Sequence, residues 1–195
     1  MDRKDKIFEL LLEASEKGFN QLFKEHNEHF YYCSIVMMDV ATPCITAMSD
    51  EIYDRLLRDN AEHNHSTVEN EIYYRWAYAE SPYLGFGYDK FFKDVNDFFC
   101  KDVSYDLPDD KFEERVADWL IAMREIMKTL KDNGIFKNIG NENIFLFAEQ
   151  QPPEKDVNID NARYLNEDNM FELWYMDNKD EYKPESQAPD REKVT

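Results

Sequence analysis

The sequence is poor in the residues that most often carry chemistry. It has three cysteines, Cys33, Cys44 and Cys100, and no Cys-x-x-Cys spacing. An odd number without that spacing argues against a disulfide framework and for free, buried thiols in a reducing compartment. A bridge between Cys33 and Cys44 is open only if their strands pair. Histidines number four. His63 and His65 share a polar loop with Glu62, Glu69 and Glu71, but His-x-His in a loop fixes no geometry, and no metal site is expected. His26 and His29 flank the end of a helix, where imidazolium is favoured. Glycines number five. Gly85-Phe86-Gly87 lacks the third glycine of a dinucleotide loop, there is no Walker A pattern, and no Gly-x-Ser-x-Gly elbow occurs. No catalytic residue, metal or cofactor is assigned. No apolar run is long enough to span a membrane. The opening MDRKDKIFELLLEA mixes acids and bases in an amphipathic pattern, unlike the apolar core of a signal peptide. The expected compartment is the cytoplasm.

Positive charge is also scarce. Lys and Arg number 23 against 42 Asp and Glu, a net charge of −19. Such a surface repels nucleic-acid phosphates and anionic membranes, so neither is an expected partner. It attracts a basic protein and speeds that encounter. Solubility alone is the competing explanation of the acidity. Paired carboxylates abound, and in so acidic a chain chance supplies them.

What is present is a sizeable core. The chain has 195 residues, 43% of them hydrophobic and 15% aromatic. That composition fits one domain, expected over residues 1–176, followed by a polar and flexible tail over 177–195. Ile7, Leu10, Leu11, Ala14 and Leu22 recur at helical spacing in residues 5–25, with Phe8, Leu12, Phe19 and Phe23 widening the apolar face. Residues 30–38, FYYCSIVMM, are apolar without alternation, as in a strand covered on both faces. A turn and a second strand over 43–48 make an antiparallel hairpin. Ser49 then caps a helix to about residue 60, with Asp50 and Glu51 in its first turn. Residues 86–100 and 109–132 carry two more helical stripes, and Gly134 ends the second. A strand over 143–148 and a short helix over 168–176 complete the chain. The order predicts an α+β domain, a small, mostly antiparallel sheet packed against several amphipathic helices.

Residues 71–83 read EIYYRWAYAESPY and are expected to form a strand or extended segment. Arg75 and Trp76 would then face opposite sides. Trp76 would anchor inward, and Arg75 would stay at the surface or meet a carboxylate such as Glu80. The alternative is a recognition patch of Arg75, Trp76, Glu80 and Tyr83, because Trp, Tyr and Arg dominate binding hot spots. The candidate binding residues are those four.

The order of motifs along the chain is more specific than any one of them. An amphipathic helix precedes FYYCSIVMM, and a second strand runs into a helix. YYRWAYAESPY, FFKDVNDFF and LKDNGIF follow, then a strand and Tyr164-Leu165-Asn166. In this order, over about residues 5–176, the chain resembles the bacterial domain-of-unknown-function family DUF4303. The strand-to-helix junction, often Asn-Thr-Glu-Glu in that family, is Met48-Ser49-Asp50-Glu51 here, which keeps the capping chemistry. The resemblance implies a small acidic cytoplasmic protein with no known enzyme activity and, for some members, an immunity role in toxin systems.

Together these features predict a non-enzymatic protein-binding module, such as a toxin-neutralising immunity protein, with a basic toxin as partner. A small-ligand protein or enzyme with a pocket near Arg75 and Trp76 is the alternative. A structure with Trp76 fully enclosed and Arg75 merely paired at the surface would exclude it. A nucleic-acid mimic, with carboxylates spaced like phosphates, is a third reading.

Overall fold

A computed structural model describes residues 2–38, 41–62, 67–137, 139–152 and 155–179. The first amphipathic stretch forms α1, Arg3–Glu25, with Asp2 capping its start through a bond from the Arg3 amide. Gly18 sits mid-helix for a reason of space. A β-carbon there would lie 2.6 Å from Cδ1 of Ile45 and 3.6 Å from the ring of Phe92. The missing side chain lets α1 lie close on the second strand.

Strands β1, Phe30–Met38, and β2, Cys44–Ser49, form the expected antiparallel hairpin. The third strand, β3, is longer than expected, Gly140–Gln151, and pairs with β1 in parallel. The order is β2-β1-β3. The sheet is therefore mixed rather than mostly antiparallel. The reason is the long helical excursion between β1 and β3, which returns the chain to enter β3 from the same end as β1.

Ser49 ends β2 and caps α2, Asp50–Glu62, by accepting the amide of Ile52 at 3.2 Å. Residues 71–83 do not form a strand. They lie in α3, Val68–Trp76, and a 3-10 turn, Tyr78–Glu80. Local helix signals override the aromatic content. Thr67 accepts the Asn70 amide, Glu69 and Glu71 fill the first turn, and Arg75 occupies the last. The expected helix over 86–100 is broken at Phe92 into α4, Tyr88–Phe91, and α5, Lys93–Asp102. Gly85 and Gly87 both have left-handed φ angles, so Gly85-Phe86-Gly87 is a turn feeding α4.

Helix α6, Asp109–Asp132, has the expected bounds. Helix α7, Lys155–Leu165, was not expected, and α8, Asp168–Asn178, runs two residues past the expected end of the domain. Residues 180–195 of the expected tail, and His63 and His65, lie outside the described residues.

Residues paired across strands project to the same side of a sheet. One face thus carries Cys33, Ile35, Ile45 and Leu146, and α1 and α6 cover it with Leu11, Phe19, Met123 and Ile126. The other face carries Tyr32, Phe145, Phe147 and Glu149, and faces Trp76 of α3 and Trp174 of α8. Both faces are covered, which is why β1 lacks alternation. Cys33 pairs with Ala47 and Cys44 with Val36, so the two thiols are out of register, and all three cysteines are free. Cys33 and Cys44 are buried, whereas Cys100 is exposed.

Candidate functional site

The four residues singled out from the sequence divide between places. Arg75 and Trp76 share one acceptor, Asp177 of α8. The Arg75 guanidinium donates to Asp177 Oδ2 at 3.1 Å and the Trp76 indole N–H to the same oxygen at 2.9 Å. The Arg75 guanidinium carbon also lies 5.8 Å from the centre of the Tyr53 ring, and its carbonyl accepts the Tyr31 hydroxyl at 2.9 Å. Arg75 pairs with Asp177, not with Glu80. Trp76 is 9% exposed and meets Phe145 edge-on at 5.2 Å. The pair therefore clamps α3 to α8 and both to the sheet.

Glu80 is exposed, with the Tyr73 hydroxyl 3.4 Å from Oε1. Tyr83 is elsewhere. It is buried, donates to Glu28 Oε1 at 2.8 Å, and packs on His26 with ring centres 4.6 Å apart. Glu28 also accepts the Ser49 hydroxyl. Burial first, and then the Glu28 carboxylate, push the Tyr83 hydroxyl well above its ordinary range. Tyr83 is a structural tie between the α1–β1 loop and the start of α2.

Trp76 does reach a cleft, of about 270 Å³, formed where α3, its 3-10 turn and α8 stand over the end of β3. Its floor is Tyr32, Phe147, Glu149 and Trp174. Tyr73, Tyr78, Gln151 and Asn178 form the walls and rim. Tyr73 is 55% exposed. Such a volume is near the low end of small-molecule sites and suits a side chain or a small amine better than a nucleotide.

The distinctive group in the cleft is Glu149, only 5% exposed. Glutamate is seldom buried without partners. Its Oε2 accepts the Tyr32 hydroxyl at 2.9 Å, and its Oε1 accepts the side-chain amide of Gln151. Tyr32 stands beside the carboxylate on the same sheet face, and Gln151 lies two residues along the strand, on that same face. These ties give the carboxylate a fixed direction at the bottom of an aromatic cleft.

Composition does not single out Glu149, which is one of 42 acidic residues. The alternation Phe145, Phe147, Glu149 is the signal that places it on the aromatic face. Trp174 was legible as part of a helix, but its approach to Trp76 depends on a tertiary contact.

Among the described residues no group of three or more His, Cys, Asp or Glu could hold a metal ion. None of the described helices is long and apolar enough to cross a membrane. No curated protein and no solved structure matches the chain. The family described as a domain of unknown function, DUF4303, matches residues 11–167. That span takes in the hairpin, the Arg75–Trp76 segment, α6 and the strand bearing Glu149, and the chain belongs to the DUF4303 family.

Proposed function

We propose that this chain is a cytoplasmic bacterial binding protein for a basic protein partner, and that it neutralises a toxin as immunity proteins do. The observation that carries this reading is the charge, −19 on 195 residues. Exposed Asp50, Glu51, Asp54, Asp59 and Glu62 lie along α2, and Asp106, Asp109, Asp110, Glu113 and Glu114 gather at the start of α6. Beside the second group Tyr105 stands 82% exposed, stacked on Phe112 at 5.4 Å. Carboxylates around an exposed aromatic are the chemistry a cationic protein surface meets.

The test uses the purified full chain as bait in lysate of the source cells, at low and then high salt. The expected result is one basic protein, retained at low salt, released by high salt, and harmless to cells only when this chain is co-produced. A tight complex indifferent to salt would sink the electrostatic part of the proposal.

The cleft beside Trp76 favours a second reading, a small-ligand protein. Its pocket would not use Arg75 or Tyr83, both already engaged, but Glu149 and the rings around it. Recovery of no partner, with a ligand that raises the melting temperature, would favour this reading.

A further inference from the structure

We propose that the groove between α6 and α7 is where two copies of this chain meet, in a reversible dimer related by a two-fold axis. This inference does not rest on the basic-partner reading. The groove has a volume of about 310 Å³ and is lined by Ala117, Leu120, Ile121 and Arg124 of α6 and by Val157 and Asp160 of α7. Ile121 is 51% exposed. Tyr164, four residues beyond Asp160 on α7, is also exposed, and its ring centre lies 4.7 Å from the Arg124 guanidinium carbon. Isoleucine, tyrosine and arginine side by side on two packed helices are residue types that protein interfaces favour.

Charge complementarity identifies the occupant. The chain carries −19, so most of its surface repels a second copy. The groove does not, because Arg124 and Asp160 give its lining one charge of each sign. Along α6 the sign also changes. Glu113 and Glu114 precede Ile121, and Arg124 and Lys128 follow it. Glu114 and Lys128 lie seven residues on either side of Ile121, about two helical turns, so all three share one stripe of the helix. A two-fold axis near Ile121 runs the two α6 helices antiparallel. It sets Glu114 of each copy against Lys128 of the other and brings each Ile121 to the other copy's groove. A stripe acidic before its centre and basic after it is complementary to itself in that orientation, whereas a parallel pair would set like on like. Glu114 and Lys128 each have a partner on their own helix, Lys111 and Asp132, at 2.6 Å. Such exposed pairs contribute little and are readily exchanged for pairs between copies.

The test is sedimentation equilibrium of the full chain from about 5 to about 500 μM, because a dimer's population follows protein concentration. The expected result is a dimer that grows with concentration. It should strengthen as sodium chloride rises from about 10 to about 150 mM, since the long-range repulsion between two acidic bodies is screened more than their contact pairs. That is the reverse of the salt response expected of a complex with a basic protein. Ile121→Gln, at a half-exposed position, should weaken the dimer about tenfold or more, with the melting temperature of the dilute protein unchanged. Glu114→Lys and Lys128→Glu should each weaken it severalfold, and an equimolar mixture of the two variants should restore it, because each then offers the charge the other lacks. Restoration on mixing cannot come from misfolding. A chain that stays monomeric throughout would overturn the proposal. So would a dimer that survives Ile121→Gln and both charge variants, because the copies then meet elsewhere. A monomeric chain whose basic partner fails to bind Ile121→Gln assigns the groove to that partner and ends the dimer proposal while leaving the partner reading intact.

Discussion

Two buried carboxylates tie parts of this chain that are distant in sequence. Asp102, at the end of α5, has a side chain 7% exposed and is surrounded by donors. It accepts from the Arg3 guanidinium at 2.6 Å, the Arg115 guanidinium at 3.1 Å and the Trp119 indole at 2.9 Å. Arg3 and Lys4 also reach Asp118, so the start of α1, the end of α5 and the first half of α6 form one ionic cluster. Glu149, in β3, accepts from the Tyr32 phenol and the Gln151 side-chain amide. Removing Asp102 would leave two guanidinium groups and an indole N–H without that acceptor, and breaking a buried pair from one side costs about 3–5 kcal/mol. Asp102→Ala should therefore lower the melting temperature by roughly 6–20 °C, at about 2–4 °C per kcal/mol for a domain of this size. Thermal unfolding checks this, and a change under about 2 °C would mean that solvent already screens the cluster. The thiols give a second test at this scale. Burial pushes Cys44 up to about 11 and Cys33 well above its ordinary range, whereas Cys100 is exposed. Titrating native protein with a chromogenic disulfide should release one fast equivalent from Cys100, the other two following only on unfolding. Loss of the fast equivalent in Cys100→Ser confirms its source.

At the scale of the element, joints decide more than interiors. The α1–β1 loop is tied to the start of α2 through Glu51, which accepts the His29 amide at 2.9 Å and the His29 ring at 2.7 Å. That bond, more than a helix terminus, raises the His29 imidazole above its ordinary value of 6.5. A raised folded-state value means the contact contributes fully below pH 6.5 and fades as pH rises through the raised value. Glu51→Gln should return His29 to near 6.5, read from its ring-proton titration, and an unchanged midpoint would show that Glu51 is not the cause. Gly87, at φ 68°, begins α4 in a conformation that costs an L-residue roughly 1–2 kcal/mol. A β-carbon there would also stand 2.6 Å from the Phe91 ring, so Gly87→Ala should lower the denaturant midpoint without changing the slope. Elements whose signals are local were legible from the sequence. The stripe of α6 and the apolar run of β1 give their bounds, and Ser49 gives the start of α2. The segment of Arg75 and Trp76 was misread because its tyrosines and tryptophan have strand character, while the Thr67 cap that starts α3 lies outside the stretch that drew attention. Helix α7, DVNIDNARYL after its first lysine, is too polar to show a stripe. It is fastened to β3 by side-chain amides instead, Asn158 bonding Gln150 and Asn161 bonding the Ala148 carbonyl at 2.9 Å. The parallel pairing of β3 and the assembly of the cleft depend on partners more than a hundred residues apart, such as Tyr32 and Glu149, which no local pattern encodes.

At the scale of the whole molecule, the charge of −19 acts on the protein and on its complexes in opposite directions. Folding brings the carboxylates closer together than they are in the open chain, so their mutual repulsion opposes the compact state. Raising sodium chloride from 10 to 150 mM shortens the screening length from about 30 Å to about 8 Å. The repulsion spans the whole surface and is screened strongly. The Asp102 cluster is short-ranged and mostly buried, and is screened little. The melting temperature of the free protein should therefore rise by a few degrees over that range. The proposed complex with a basic partner responds the other way, because its attraction is also spread over a surface and salt removes it. The pair of measurements separates two explanations that a salt wash alone would confuse. A partner released while the chain becomes more stable has left an intact interface. A melting temperature that falls with salt would show instead that exposed ion pairs, such as Lys17 with Glu13 and Lys128 with Asp132, outweigh the net repulsion. In that case the acidity would be locally balanced, and the argument from charge to a basic partner would lose its footing.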